Sequence, residues 1–186
     1  MGQPKPLLPW LGATLVERQI EALLDAGVDD VYVVTGHRAY EVQSKVRGPR
    51  VHRVLNPHYR QGKSTSVKAG LAALPDGTSA IVLLAVDQPR PAWLIQKVLE
   101  AHAARKALIS CPRYKGHGGH PLVFDGSLAI ELDSISEETE GVRSVVKAHA
   151  SRVNWVDVDT PVARLDLNTP EAYDEARKTF PGPAPE

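Results

Sequence analysis

Apolar residues recur along this chain with two periods, and the two alternate. Val16, Ile20, Leu23 and Leu24 lie on one stripe of a helix that opens with the capping-box spacing Thr14-Leu15-Val16-Glu17 and closes at Gly27. Val31-Tyr32-Val33-Val34 follows as a short buried strand ending at Thr35-Gly36-His37. Tyr40 to Val46 reads as a short helix, Val51 to Leu55 as a strand, and Gly62 to about Leu74 as a helix with Val67, Leu71 and Leu74 on one face. After the turn at Pro75-Asp76-Gly77 the pattern repeats. Pro91 to Ala104 is helical, Ala107 to Cys111 and Leu122 to Phe124 are strands, Val142 to Ala150 is helical, and Val153 to Val158 is a strand. Arg164 to Asn168 reads as a last short strand, and Thr169-Pro170 caps a helix running to about Lys178. Helix and strand in alternation predict an α/β chain.

The longest apolar run, Ala80-Ile81-Val82-Leu83-Leu84-Ala85-Val86, is too short to cross a bilayer and predicts a strand buried on both faces of a parallel sheet. It ends on Asp87-Gln88-Pro89, and open α/β folds bind ligands beyond the carboxyl ends of their strands. A carboxylate there either holds Mg²⁺ against a phosphate or caps a turn. Asp166 and Asn168 fall on one face of the strand expected over Arg164 to Asn168, because strand side chains alternate. Gly62-Lys63-Ser64-Thr65-Ser66 offers free N–H groups at a helix start, which suits an anion or plain capping. Tyr114-Lys115-Gly116-His117-Gly118-Gly119-His120-Pro121 is a glycine-rich loop in which the backbone can approach a ligand closely. Its two histidines lack a nearby third ligand, so a turn or substrate contact is expected there rather than zinc. Glu137, Glu138 and Glu140 are expected to form a solvated helix start.

Composition narrows the class. At 186 residues, 42% hydrophobic and 24% charged, the chain has material for one core, expected over residues 1–180, with the proline-rich 181–186 as a disordered tail. Lys+Arg 22 against Asp+Glu 22 gives no net charge, so neither a nucleic-acid nor a membrane footprint is expected, and an anionic ligand must be met locally. Cys111 is the single cysteine, which excludes an intrachain disulfide framework and fits a reducing cytoplasm. No apolar run reaches ~20 residues, and no charged-then-apolar leader pattern opens the chain.

Taken in order, MGQPKPLLPW, the Thr35-Gly36-His37 corner, NPHYRQGKSTSVKAGL, LLAVDQP, GHGGHPLVF and DLNTPEAY resemble the MobA-like nucleotidyltransferases, and among them most closely the molybdenum cofactor cytidylyltransferases. The resemblance implies a Rossmann-like three-layer α/β/α sandwich of the nucleotide-diphospho-sugar transferase type with a mostly parallel sheet. Met1, Gly2 and Lys5 match the end of a signature of the form LAAGxSxRMGxxK, whose strand and glycine loop have no counterpart in this sequence. It also implies transfer of a nucleoside monophosphate, CMP from CTP, to the terminal phosphate of molybdopterin, with pyrophosphate released. Related alternatives are a GTP-dependent or nucleotide-sugar-type transferase, or a non-catalytic relative that only binds a ligand or partner. By the same resemblance Lys5 and Asp87 are catalytic; Gly2, Lys5, Thr35, Gly36, Gly62, Ser64, Ser66 and Asp87 bind nucleotide. Asp87, Asp166 and Asn168 hold Mg²⁺ or Mn²⁺, and His120 lies on the acceptor side. The implied partners are CTP or another NTP, molybdopterin, and a molybdoenzyme or its maturation chaperone.

Overall fold

A computed structural model describes residues 4–180; Gly2 and the expected disordered tail lie outside the described residues. In chain order the elements are β1 (Pro9–Trp10), β2 (Ala13–Thr14), α1 (Leu15–Asp25), β3 (Val31–Thr35), α2 (Ala39–Gln43), β4 (Val51–Leu55), α3 (Lys63–Leu71) and β5 (Ala80–Leu83). They continue with α4 (Ala92–Arg105), β6 (Ile109–Tyr114), β7 (His117–Gly118), β8 (Leu122–Asp125), α5 (Ala129–Asp133), α6 (Val142–Ala148), β9 (Val153–Asp157) and α7 (Pro170–Thr179). Among the described residues no helix is long and apolar enough to cross a membrane.

Local chemistry sets several boundaries. The capping box forms at α1, with the Thr14 side chain accepting from the Glu17 amide and Glu17 accepting from the Thr14 amide. Thr169 accepts from the Ala172 amide and places Pro170 in the first turn of α7, where its missing N–H costs nothing.

Helices cover both faces of the strands, which makes three layers. On β8, Phe124 faces a cluster with Ile81, Ile109, Leu128, Leu132 and Val145, while its neighbour Val123 faces Val98 of α4 and Val156. That is the period-two alternation of a strand buried on both sides. Val67 and Leu71 of α3 join the Phe124 side, and Leu99 and Ala101 of α4 the other. Val16 and Ile20 of α1 pack on Val31 and Val33.

The strands form a mixed, mostly parallel arrangement. β3 pairs β4 in parallel, and β6 pairs β9 in parallel. β5 and β6 are each antiparallel to β8 and therefore run the same way, so β8 and the short β7 are the reversed strands of the five-stranded sheet. The sequence does not show that reversal, because a short apolar run is equally compatible with either direction. Among the described residues β5 pairs only β8 and β3 pairs only β4, so the strands form two separate sheets beside the β1–β2 hairpin. This overturns the expectation for the apolar run: β5 stops at Leu83, only Ile81 in it is buried, and Ala85 is exposed. With hydrogen bonding on one edge alone, the strand has no ladder to carry it to Val86. The strand expected over Arg164 to Asn168 is likewise absent; Pro161–Arg164 is a 3-10 turn and residues 165–168 are irregular.

Phe124, fully buried among aliphatic side chains of both helices and strands, carries the larger core. Phe124→Ala is expected to lower stability by about 3–5 kcal/mol, read by denaturant titration; a loss below about 1 kcal/mol would mean that this cluster is not the core.

Candidate active site

Beyond Leu83 the chain turns, with the Gln88 amide donating to the Ala85 carbonyl, and presents Asp87 at the mouth of the larger sheet. One side chain distant in sequence meets it and links it to another. Lys5 Nζ donates to Asp87 Oδ2 at 2.9 Å across 82 positions, and to Asn168 Oδ1 at 3.2 Å across 163. Lys5 is held there because its 3-10 turn, Lys5–Leu7, is followed by Leu8 and Trp10, which are buried against Leu15, Leu167 and Tyr173. Asn168 and Asp166 flank Leu167, which is fully buried and whose amide donates to the Asp87 carbonyl at 2.8 Å. One buried apolar residue and one backbone bond thus bring both polar side chains to the corner without a strand.

His120 sits close to both carboxylates. Burial holds its imidazole pKa down at about 4, with the Arg90 guanidinium adding to the fall while Asp166 and Asp87 oppose it. A Cβ on Gly119, just before it, would run into the Ala163 carbonyl, whose oxygen accepts from the His120 amide at 2.9 Å. Arg90 is 2% exposed, and its guanidinium, lowered to about 10 mainly by burial, is kept charged in part by Asp166.

A second group forms around Asn56, which is 1% exposed. Its amide nitrogen donates to Thr65 Oγ1 and Ser66 Oγ, its side-chain oxygen accepts from the His58 amide, and its backbone amide donates to the Thr35 carbonyl. Asn56 therefore ties Thr35 at the end of β3 to the first turn of α3. Gly36 lies against Tyr59, where a Cβ would collide with the ring. Gly62, at φ 122°, is the N-cap of α3 and has no side chain to cap it. The cap comes from Glu137, which accepts from the Ser64 amide at 2.6 Å; that bond is the main cause of its lowered pKa. Glu137 is exposed, as expected, but its carboxylate is not free: it binds N–H groups that the sequence offered to an anion. The structure thus gathers the expected residues in two groups, Lys5, Asp87, Asp166, Asn168 and His120 in one, and Thr35, Gly36, Gly62, Ser64 and Ser66 in the other. Sequence reasoning missed the roles of Asn56, Arg90 and Glu137; a buried asparagine or arginine has no local signal.

The corner suits a hard divalent ion. Asp87, Asp166 and the Asn168 carbonyl supply oxygen donors, and Asp87 already binds one cation, the Lys5 ammonium. Among the described residues no three His, Cys, Asp or Glu side chains converge as a cage. Mg²⁺ and Mn²⁺ take one or two carboxylates and fill their shell with phosphate and water.

The family model of the MobA-like NTP transferase domain matches residues 1–153. Nicotine blue oxidoreductase of Paenarthrobacter nicotinovorans is 30% identical over 90% of this chain and 85% of its own. The bifunctional IPC transferase and DIPP synthase of Rubrobacter xylanophilus is 44% identical over 86% of this chain, which spans only 46% of that protein. Molybdenum cofactor cytidylyltransferase of Escherichia coli is 26% identical over 97% of this chain and 90% of its own. Among solved structures, a Mycobacterium tuberculosis protein in complex with manganese superposes with a TM-score of 0.79 at 25% identity, covering 96% of this chain and 94% of that one. A nucleotidyl transferase from Methanothermobacter gives 0.78 at 26% identity, over 95% and 84%.

The depressed His120 pKa has a measurable consequence. Between about pH 6.5 and pH 4 the unfolded chain takes up a proton that the folded one refuses, so this group costs stability as pH falls through that window and has no effect above it. The cost is about 2–3 kcal/mol, allowing for partial exposure. His120→Gln is expected to reduce the stability lost between about pH 7 and pH 4.5 by that amount. An acid limb identical to wild type in a denaturation series would show His120 to be protonated in the fold.

Proposed function

We propose, from the premise that this chain belongs to the MobA-like NTP transferase family and is a nucleotidyltransferase, that it moves CMP from CTP to the terminal phosphate of molybdopterin, with pyrophosphate as the leaving group. The observation that carries the site assignment is the meeting of Lys5, Asp87 and Asn168 from three distant parts of the chain at one sheet end. Nucleotidyl transfer needs charge neutralisation and in-line placement more than a protein nucleophile. An acceptor phosphate oxygen, already ionised at neutral pH, attacks the α-phosphorus; the new P–O bond forms as the bond to the β-phosphate oxygen breaks.

Asp87 and Asp166, with Asn168 beside them, would hold Mg²⁺ or Mn²⁺, which supplies Lewis-acid neutralisation of the phosphates. Lys5 leaves Asp87 and stabilises charge on the departing pyrophosphate. At 33% and 22% side-chain exposure the Lys5–Asp87 pair is open enough to part when a stronger partner arrives. Thr35, Gly36, Gly62, Ser64 and Ser66 line the nucleotide side, and Glu137 must give up the Ser64 amide for that segment to close on a ligand. His120 contacts the acceptor as a neutral imidazole, a hydrogen-bonding group rather than a cation.

A second reading keeps the transfer and changes the acceptor. The 44% identity to the bifunctional IPC transferase and DIPP synthase supports an acceptor other than molybdopterin.

Nucleotides labelled at the α-phosphate, offered one at a time with molybdopterin, separate these readings: label from CTP in the pterin product supports the first. Pyrophosphate release that requires a different phosphorylated acceptor favours the second, and no incorporation with any pair removes both. Asp87→Ala is expected to cut turnover by at least ~10²-fold; a smaller loss at saturating Mg²⁺ would take the metal role from Asp87. Lys5→Ala is expected to lower kcat by ~10-fold or more with a smaller change in nucleotide affinity, and unchanged rate and affinity would remove it from the site.

A further inference from the structure

Arg90 is a buried guanidinium that hydrogen-bonds no carboxylate among the described residues. Its Nε donates to the His120 carbonyl at 2.9 Å, and its Nη1 to the carbonyls of Pro89 and Leu165, each at 2.8 Å. Nη2 has no partner among the described residues. If packing were all that this position required, an apolar side chain would fill it without the desolvation cost of a guanidinium. What the guanidinium does instead is join three segments that share no regular element: the turn carrying Asp87, the loop carrying His120, and the irregular stretch carrying Asp166 and Asn168. Gln19, 6% exposed on α1, completes the arrangement from the other side. Its Nε2 donates to the carbonyls of Ala85 at 3.2 Å and Gln88 at 3.1 Å, and its Oε1 accepts from the Arg90 amide at 3.4 Å.

We propose that Arg90 and Gln19 are positioning residues that set the spacing of Asp87, Asp166, Asn168 and His120 by gripping the backbone of the three segments that carry them. Neither touches substrate. A pair of carboxylates on irregular backbone has no ladder to fix its separation, and a divalent ion tolerates little error in that separation. The planar fork of an arginine, reaching two loops from a third, supplies the missing rigidity. The proposal rests on the metal role assigned above to Asp87 and Asp166, and one of its consequences does not.

The test uses Arg90→Lys, which keeps the charge and loses the fork, and Gln19→Glu, which keeps the shape and turns two donors into an acceptor facing carbonyls. Mn²⁺ affinity is measured by electron paramagnetic resonance of the free ion, and amide exchange is followed in the metal-free protein. Both variants are expected to bind Mn²⁺ about tenfold or more weakly, with turnover partly restored by raising Mn²⁺. In metal-free protein, the amides of Leu167 and His120 are expected to exchange at least ~10-fold faster, while those of Ile109 and Phe124 keep their wild-type rates. A merely structural role would speed all four alike. Folded variants with wild-type Mn²⁺ affinity and wild-type exchange at Leu167 and His120 would overturn the proposal. If Arg90→Lys does not fold, Gln19→Glu decides by the same two readouts. If wild-type protein binds no Mn²⁺, the metal reading fails and the exchange rates alone decide the role of Arg90 and Gln19.

Discussion

Charge compensation in a half-dry corner is the constraint on which this structure turns. Asp87 and Asp166 both lie close to His120 at the end of the larger sheet, with Lys5 on Asp87 and Arg90 close to Asp166. The four charges sum to zero, which is what allows them to be withdrawn from water together. His120 completes the balance by staying neutral: beside a buried guanidinium and with little water, a second cation there would be costly. Of the two cations only Lys5 is free to move: its pair with Asp87 is partly open to solvent, whereas Arg90 is pinned to three backbone carbonyls.

Regular structure delivers the chain to that corner but does not build it. β5 ends at Leu83, four residues before Asp87, and the stretch bearing Asp166 and Asn168 has no ladder of its own. Side chains bonded to backbone carbonyls do the building, from Gln19 on α1 and Arg90 at the foot of α4, together with the Leu167 amide on Asp87. Polar side chains on loops need such support, because a loop by itself does not fix their separation.

The second group of residues follows the same logic with a different hub. Asn56 spends its side chain and amide on Thr35, His58, Thr65 and Ser66, and so fixes the end of β3 against the start of α3. Glu137 then fills the N-terminus of α3 with a carboxylate, the kind of group that helix amides and dipole favour. The residues expected to meet a nucleotide are thus already satisfied by an internal anion, which makes their engagement an exchange of partners.

Much of this was legible in the sequence because it is local. The Thr14 and Glu17 cap, the stripe of Val16 and Ile20, the strands at Val31 and Val51, and the Thr169-Pro170 helix start depend on residues within a turn or two of one another, and each formed where the pattern placed it. Asp87, Lys5 and Asn168 could be singled out by type and by resemblance, but their meeting could not be derived from spacing. The reversed direction of β8, the early end of β5, the irregular backbone around Asp166 and the burial of Arg90, Gln19 and Asn56 were settled only in the folded chain. The reason is range: periodicity records which face a residue turns to the core, whereas strand partners and polar contacts are chosen between segments up to 164 positions apart, where the sequence carries no local trace of the choice.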